Sequence, residues 1–391
     1  MVLKITVASN VEGWDIVMNE QLIEALARDK RVEVSGFVPG HTDKQRDQAR
    51  ELNISLHDAK DYIGFDTNEL LAFPPDDLEI DLLIMHSYGR HVGKHAQVIK
   101  DTKRCSWVLA VHIFRKKLEK HLEVVASSSQ FDISEHELQV NLCMRADLVL
   151  AIGPQTAEDY KGELRLGRDK VFTLMPSIPI EFSRVQRRDR KVPFQVLLSA
   201  SDKYFEVKGC FIAAEAFKEL KDLPIHLKLV VKEGDNTATL KAKMVKAGIS
   251  QDQLTVQTFS GGDKAWQKLL DEVDLLIKPS ISEGFGMSGL RAIAAELPVL
   301  ISGNCGLAIA LKELPSGYKH VVDKQDPQVW AKKIKEIKEK DVETCHSEAE
   351  QLKNEYSAAY NLEDQVNSLI DKFSTMVRSD SDGQHGVEET L

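Results

Sequence analysis

Short apolar runs rich in Val, Ile and Leu alternate along this chain with longer amphipathic stretches. Residues 3–8 (LKITVA) read as a strand, followed by a helical pattern over 14–27 and a second strand over 32–38. Further strands are predicted at 81–85, 106–112 and 147–152, with helical segments at 95–101, 134–145 and 155–162 between them. Runs apolar on both faces and separated by helices predict a parallel sheet covered on both sides. The right-handed crossover rule makes a doubly wound α/β unit the natural arrangement.

The alternation breaks at 175–192 (MPSIPIEFSRVQRRDRKV), which has two prolines, no period and a cluster of Arg184, Arg187, Arg188, Arg190 and Lys191. It reads as a linker whose charge is solvated. Strands then resume at 194–199, 226–231, 254–258, 274–278 and 299–302, with helices at 209–220, 239–247, 264–271 and 287–296. A wholly helical part covers 328–339, 347–356 and 362–376, and the polar end SDSDGQHGVEETL reads as disordered. The expected division is a first domain at 1–175, a linker at 176–192 and a second domain at 193–340. Helices at 341–377 that cross back to the first domain and a disordered tail at 378–391 complete it. Two such domains leave a cleft at the carboxyl ends of both sheets, where ligands bind in open α/β folds.

Composition narrows the function. With 51 Lys+Arg against 61 Asp+Glu, the chain carries a formal charge of -10, which argues against a nucleic-acid coat. Five cysteines without a CxxC pair suggest neither zinc nor disulfides, and a reducing compartment. The apolar start is interrupted by Lys4, and no stretch approaches the ~20 apolar residues of a membrane helix. A soluble, cytoplasmic protein is expected. The run Arg115-Lys116-Lys117-Leu118-Glu119-Lys120 leaves two readings open, contact with an anionic acceptor or membrane surface and a solvated helix face.

The densest chemistry lies in 274–307, DLLIKPSISEGFGMSGLRAIAAELPVLISGNCGL. A buried strand ends at Pro279, a loop carries Glu283-Gly284-Phe285-Gly286, and a helix opens near Met287. Glycines let backbone approach a ligand, and the first free N–H groups of a helix favour phosphate or sugar oxygens. Glu283, which only accepts, suits two sugar hydroxyls. A tight turn with a solvated glutamate remains the plainer reading.

This stretch resembles the donor-binding segment of the retaining GT-B glycosyltransferases of family 4, also called glycosyltransferase group 1. PSISEGFG, LRAIAAELPVLIS and GNCGL match its pattern in order and spacing. Upstream, LLSASDK through Lys208-Gly209 is similar to the family's diphosphate-holding loop, with Lys203 and Lys208 at its two basic positions. The resemblance implies a GT-B architecture, two Rossmann-like domains facing a central cleft, and transfer from a nucleotide-diphosphate sugar to an acceptor. It implies no metal and no cofactor beyond that donor. It implies that Glu283, Lys208 and Lys203 converge, with Gly284, Phe285, Gly286 and Met287 offering backbone N–H groups. His112, after the strand WVLAV, is similar to the family's strand-end histidine, although a histidine bonded to backbone fits equally; His86 is a weaker second.

Three departures stand out. Arg291 occupies the position of the family's second carboxylate, and a guanidinium offers five donors and no acceptor for a ribose diol. Lys203 stands where Arg is more usual. The loop Asn10-Val11-Glu12-Gly13-Trp14 has one glycine, Gly13, and a bulky Trp that leaves less room for a ligand. Together they keep a second function open, a degenerate module that binds a nucleotide, a glycan or a protein partner without turnover.

Overall fold

The computed structural model describes residues 2–18, 21–86, 92–119, 135–164, 168–182 and 192–385. The first half builds strands β1 (Leu3–Ala8), β2 (Val32–Phe37), β3 (Ser55–His57), β4 (Leu82–His86), β5 (Ser106–Val111), β6 (Leu148–Ile152) and β7 (Val171–Leu174). The second half builds β8 (Phe194–Ala200), β9 (Ile225–Lys232), β10 (Leu254–Phe259), β11 (Leu275–Lys278), β12 (Val299–Ser302) and β13 (Val321–Val322). Their orders are β3-β2-β1-β4-β5-β6-β7 and β10-β9-β8-β11-β12-β13, with every pair parallel. Each order reverses once, between β1 and β4 and between β8 and β11. These are two doubly wound Rossmann-like units, as the alternating pattern predicts.

Side chains on each strand feed both faces. In β4, Leu82 and Ile84 join Ile5 and Val7 on one side, while Leu83 and Met85 join Trp107 and Leu109 on the other. In β8, Val196 and Leu198 face away from Leu197 in the same way. Burial on both faces is what turns these strands into unbroken Val, Ile and Leu runs.

The chain crosses between the units twice, side by side. Tyr356 Oη donates to the Pro176 carbonyl at 2.7 Å, Ser177 Oγ to the Tyr360 carbonyl at 2.8 Å, and Met175 N–H to Gln365 Oε1 at 2.7 Å. Beyond that strap the last helix, Leu362–His385, inserts Val366, Leu369, Ile370 and Phe373 into the core of the first sheet.

Some elements differ from the pattern-based reading. The helix Asp43–Glu51 has no apolar stripe, burying only Gln45 and Ala49; its legible signal is the capping box of Thr42 and Gln45. Strands β3 and β13 are too short, at three and two residues, to show alternation. The helix expected at 14–27 is two described segments, Val11–Met18 and Gln21–Arg28. The tail expected to be disordered from 378 is helical as far as His385; its polar residues continue a helix already anchored by packed turns. Arg184, Arg187, Arg188, Arg190 and Lys191 of the linker lie outside the described residues.

Phe373 is fully buried, whereas Ser368 lies on the exposed face of the same helix. Phe373→Ala should cost about 3–5 kcal/mol and lower the urea midpoint, while Ser368→Ala should change stability by no more than about 0.5 kcal/mol.

Candidate active site

Two loops at the carboxyl edge of the second sheet meet because a glycine lets them. Gly209 caps the helix Cys210–Glu219 at φ 73°, and a Cβ there would stand 2.0 Å from the Pro279 carbonyl oxygen. No side chain fits that approach. Ile281 N–H donates to the Val207 carbonyl at 2.8 Å, zipping the loop after β8 to the loop after β11. Lys208 is thereby carried to Glu283, and its Nζ donates to Oε2 at 2.6 Å. Lys278, the last residue of β11, brings its Nζ to the same oxygen at 2.8 Å and donates to Ser288 Oγ at 3.2 Å. Ser280 Oγ also donates to Oε2, at 3.3 Å.

One carboxylate oxygen is therefore shared by two ammonium groups and a hydroxyl. Burial by itself would raise the Glu283 pKa, but the Lys278 and Lys208 charges outweigh it and pull it down to about 2. Lys208 shifts down, because burial and the neighbouring Lys278 charge outweigh Glu283. Lys278, although buried, shifts up because Glu283 holds its proton. The helix Met287–Ala294 opens directly behind this cluster at Gly286, without a side-chain cap. Its first N–H groups add partial positive charge. Two lysines and one glutamate leave this cluster with a net positive charge.

The first unit supplies the opposite wall. The His112 carbonyl lies where a Cβ on Gly284 would come within 2.4 Å, so glycine alone permits the contact. The buried Phe285 ring packs on Gly153, and the amides of Gly306 and Leu307 donate to the Gly284 and Phe285 carbonyls at 2.9 and 2.8 Å. Between the walls lies a hollow of about 280 Å³ bounded by Phe114, Lys117, Gln155 and Asp159 on one side and Ser282, Glu283 and Asn304 on the other. The His112 and His86 rings stack, with His112 Nε2 3.0 Å from His86 Nδ1. Burial lowers both, His86 to about 4, so the pair is neutral near pH 7. The structure thus joins the two strand-end histidines to each other.

Other expected residues stand elsewhere. Lys203 is exposed, its Nζ 5.4 Å from the Tyr204 ring centre, and it opens on a separate hollow with Lys243 and Lys246. Asp202, whose N–H donates to Asp235 and whose carboxylate takes Lys243 at 2.8 Å, draws that turn away from Glu283. The second cation beside Glu283 is Lys278, not Lys203. The signal for Lys278 was a charge closing an otherwise apolar strand, LLIK. Gly13 sits inside the helix Val11–Met18, its N–H on Asn10 Oδ1 at 2.8 Å, and Trp14 points fully into the core, so the ring does not crowd the cleft. Met287 opens its helix with a half-exposed side chain. Arg291 Nε lies 3.2 Å from Asp263 Oδ1. Arg115, Lys116 and Lys117 pair with Glu135, Glu163 and Asp159, and Lys120 of the same run lies outside the described residues. Among the described residues no helix is long and apolar enough to cross a membrane.

The family model described as Family 4 Glycosyltransferase in conflict systems matches residues 11–369. No curated protein matches the chain. Among solved structures the chain is similar to HepE from Anabaena in complex with UDP and glucose, at 14% identity and a TM-score of 0.68 over 95% of this chain and 99% of that one. It is similar to sucrose-phosphate synthase from Thermosynechococcus elongatus at 15% identity and a TM-score of 0.70, over 96% and 100% of the two chains. A glycosyltransferase from Rickettsia africae aligns at 13% identity and a TM-score of 0.64, over 96% and 99%. At these identities the likeness is one of fold.

Glu283→Gln should destabilise the protein by about 3 kcal/mol at pH 7, because it leaves the buried Lys278 ammonium, and in part the quarter-exposed Lys208, unbalanced. A depressed carboxylate contributes stability above its unfolded pKa of about 4.3 and loses it as pH falls toward 2. Thermal melts from pH 5 to 2.5 should therefore fall less steeply in Glu283→Gln than in the wild type; equal slopes would show that Glu283 is not the titrating group.

Proposed function

We propose a function from one premise: the chain belongs to the family 4 glycosyltransferases of conflict systems. It moves a sugar, with retention, from a nucleoside diphosphate sugar to an acceptor bound on the first unit. The observation that carries this reading is Glu283, held between Lys208 and Lys278 at the edge of the hollow between the two units. HepE, solved with UDP and glucose, supports the choice of donor class.

In the reaction the bond from sugar C1 to the β-phosphate oxygen breaks, and an acceptor oxygen bonds C1 from the same face. The acceptor proton leaves with the diphosphate. Lys208 and the first amides of the helix Met287–Ala294 face the growing negative charge, and they act more strongly as the units close and water leaves. Glu283 Oε1 accepts from sugar hydroxyls, and Lys278 fixes that carboxylate in place and keeps it ionised. His112, bonded to His86 beside that wall, is the first unit's residue proposed to contact the sugar. The charge on the leaving group is met by Lys208 and the helix amides, so the reading needs no metal or organic cofactor. Five free cysteines, all buried, fit a cytoplasmic site of action.

A thermal-shift panel of UDP, GDP, ADP and their sugar conjugates should stabilise the protein, by about 2.7 kcal/mol at 100 times the dissociation constant. Lys208→Ala should lower donor hydrolysis or transfer by about 10²–10³-fold. Stabilisation without any turnover would favour a binding module, and a flat panel would refute donor binding.

A further inference from the structure

We propose that Asp263 accepts a hydrogen bond from a ribose hydroxyl of the donor, making the second unit selective for ribonucleoside diphosphates; this rests on the cleft being a nucleotide-sugar site. Asp263 opens the helix Asp263–Asp271 four residues beyond the end of β10, at the same carboxyl edge of the sheet as Lys208 and Glu283. Its side chain is 28% exposed, and Oδ1 lies 3.2 Å from Arg291 Nε. Among the described residues nothing donates to its Oδ2.

The surroundings suit a nucleoside. The Arg291 guanidinium lies 5.6 Å from the Trp266 ring centre and 6.0 Å from that of Phe182. Trp266 in turn tilts against Phe259, centres 5.0 Å apart. Aromatic faces stack bases without regard to sequence. Arg291 lies five residues past Gly286, roughly 7 Å along the helix. A diphosphate gripped by Lys208 and the first turn therefore extends its nucleoside toward this pair.

Hydrogen-bond chemistry then selects the residue. The ribose diol presents two O–H donors that require acceptors on leaving water. Arg291 only donates, so it cannot meet them. Asp263 only accepts, and with Arg291 at Oδ1 its Oδ2 is left to take a hydroxyl. The guanidinium is thus a positioning group for a carboxylate on the neighbouring helix.

The test is calorimetric titration of the diphosphate chosen by the panel (UDP, GDP or ADP) and its 2′,3′-dideoxy counterpart, into wild type, Asp263→Asn and Lys208→Ala. Wild type should prefer the ribonucleotide by at least about tenfold, since a site built to bond a hydroxyl rejects the analogue lacking it. Asp263→Asn should erase most of that preference by weakening the ribonucleotide alone, whereas Lys208→Ala should weaken both ligands alike. Equal wild-type affinity for the two ligands, or equal weakening of both in Asp263→Asn, would reduce Asp263 to an ion pair between helices and overturn the inference while leaving donor binding intact. Failure of every diphosphate to bind would overturn both.

Discussion

A single carboxylate oxygen, taking hydrogen bonds from the buried Lys278 and the largely buried Lys208, governs the organisation of this molecule. Burying a charge is costly unless it is paired and hydrogen-bonded. Glu283 meets that condition only because three separate segments converge: Lys208 from the loop after β8, Lys278 from the end of β11, and Ser280 from the turn between. Each depends on backbone arrangements set elsewhere. Gly209 must yield to the Pro279 carbonyl, and β8 must lie beside β11 at the reversal of strand order. The cluster is thus a consequence of doubly wound topology, which delivers loop ends to one edge of one sheet.

The same turn is the meeting point of the two units. Gly284 lies against the His112 carbonyl and Phe285 against Gly153, so the carboxylate sits where the units touch. On the far side, the strap of Pro176, Ser177 and Met175 with Tyr356, Tyr360 and Gln365 limits how they separate. The final helix then locks the crossing by burying Leu369 and Phe373 under the first sheet. The units are thus joined at two places, by the turn that carries Glu283 and by this strap.

Much of this was legible in the sequence, for physical reasons that can be named. Strands buried on both faces appear as apolar runs, and the glycine-rich turn after one of them pointed to Glu283, while Lys208 came from the resemblance of the loop after β8 to the family's diphosphate-holding loop. Lys203 read as the second cation because spacing reports position along a chain, not which way a short turn directs a side chain; Asp202 and Asp235 decided that. Lys278 was hidden within a strand counted for its apolar residues. Trp14 read as an obstacle because its loop was imagined open, whereas the helix begins at Val11 and turns the ring into the core. Arg291 read as the loss of an acceptor; only its distance to Asp263 reveals the carboxylate across from it.

A crystal structure with an intact nucleoside diphosphate sugar tests the central claim most directly. The account predicts the β-phosphate within about 3 Å of Lys208 Nζ, and a sugar hydroxyl at a similar distance from Glu283. A donor bound away from both side chains, with the Glu283–Lys208–Lys278 cluster untouched, would contradict it.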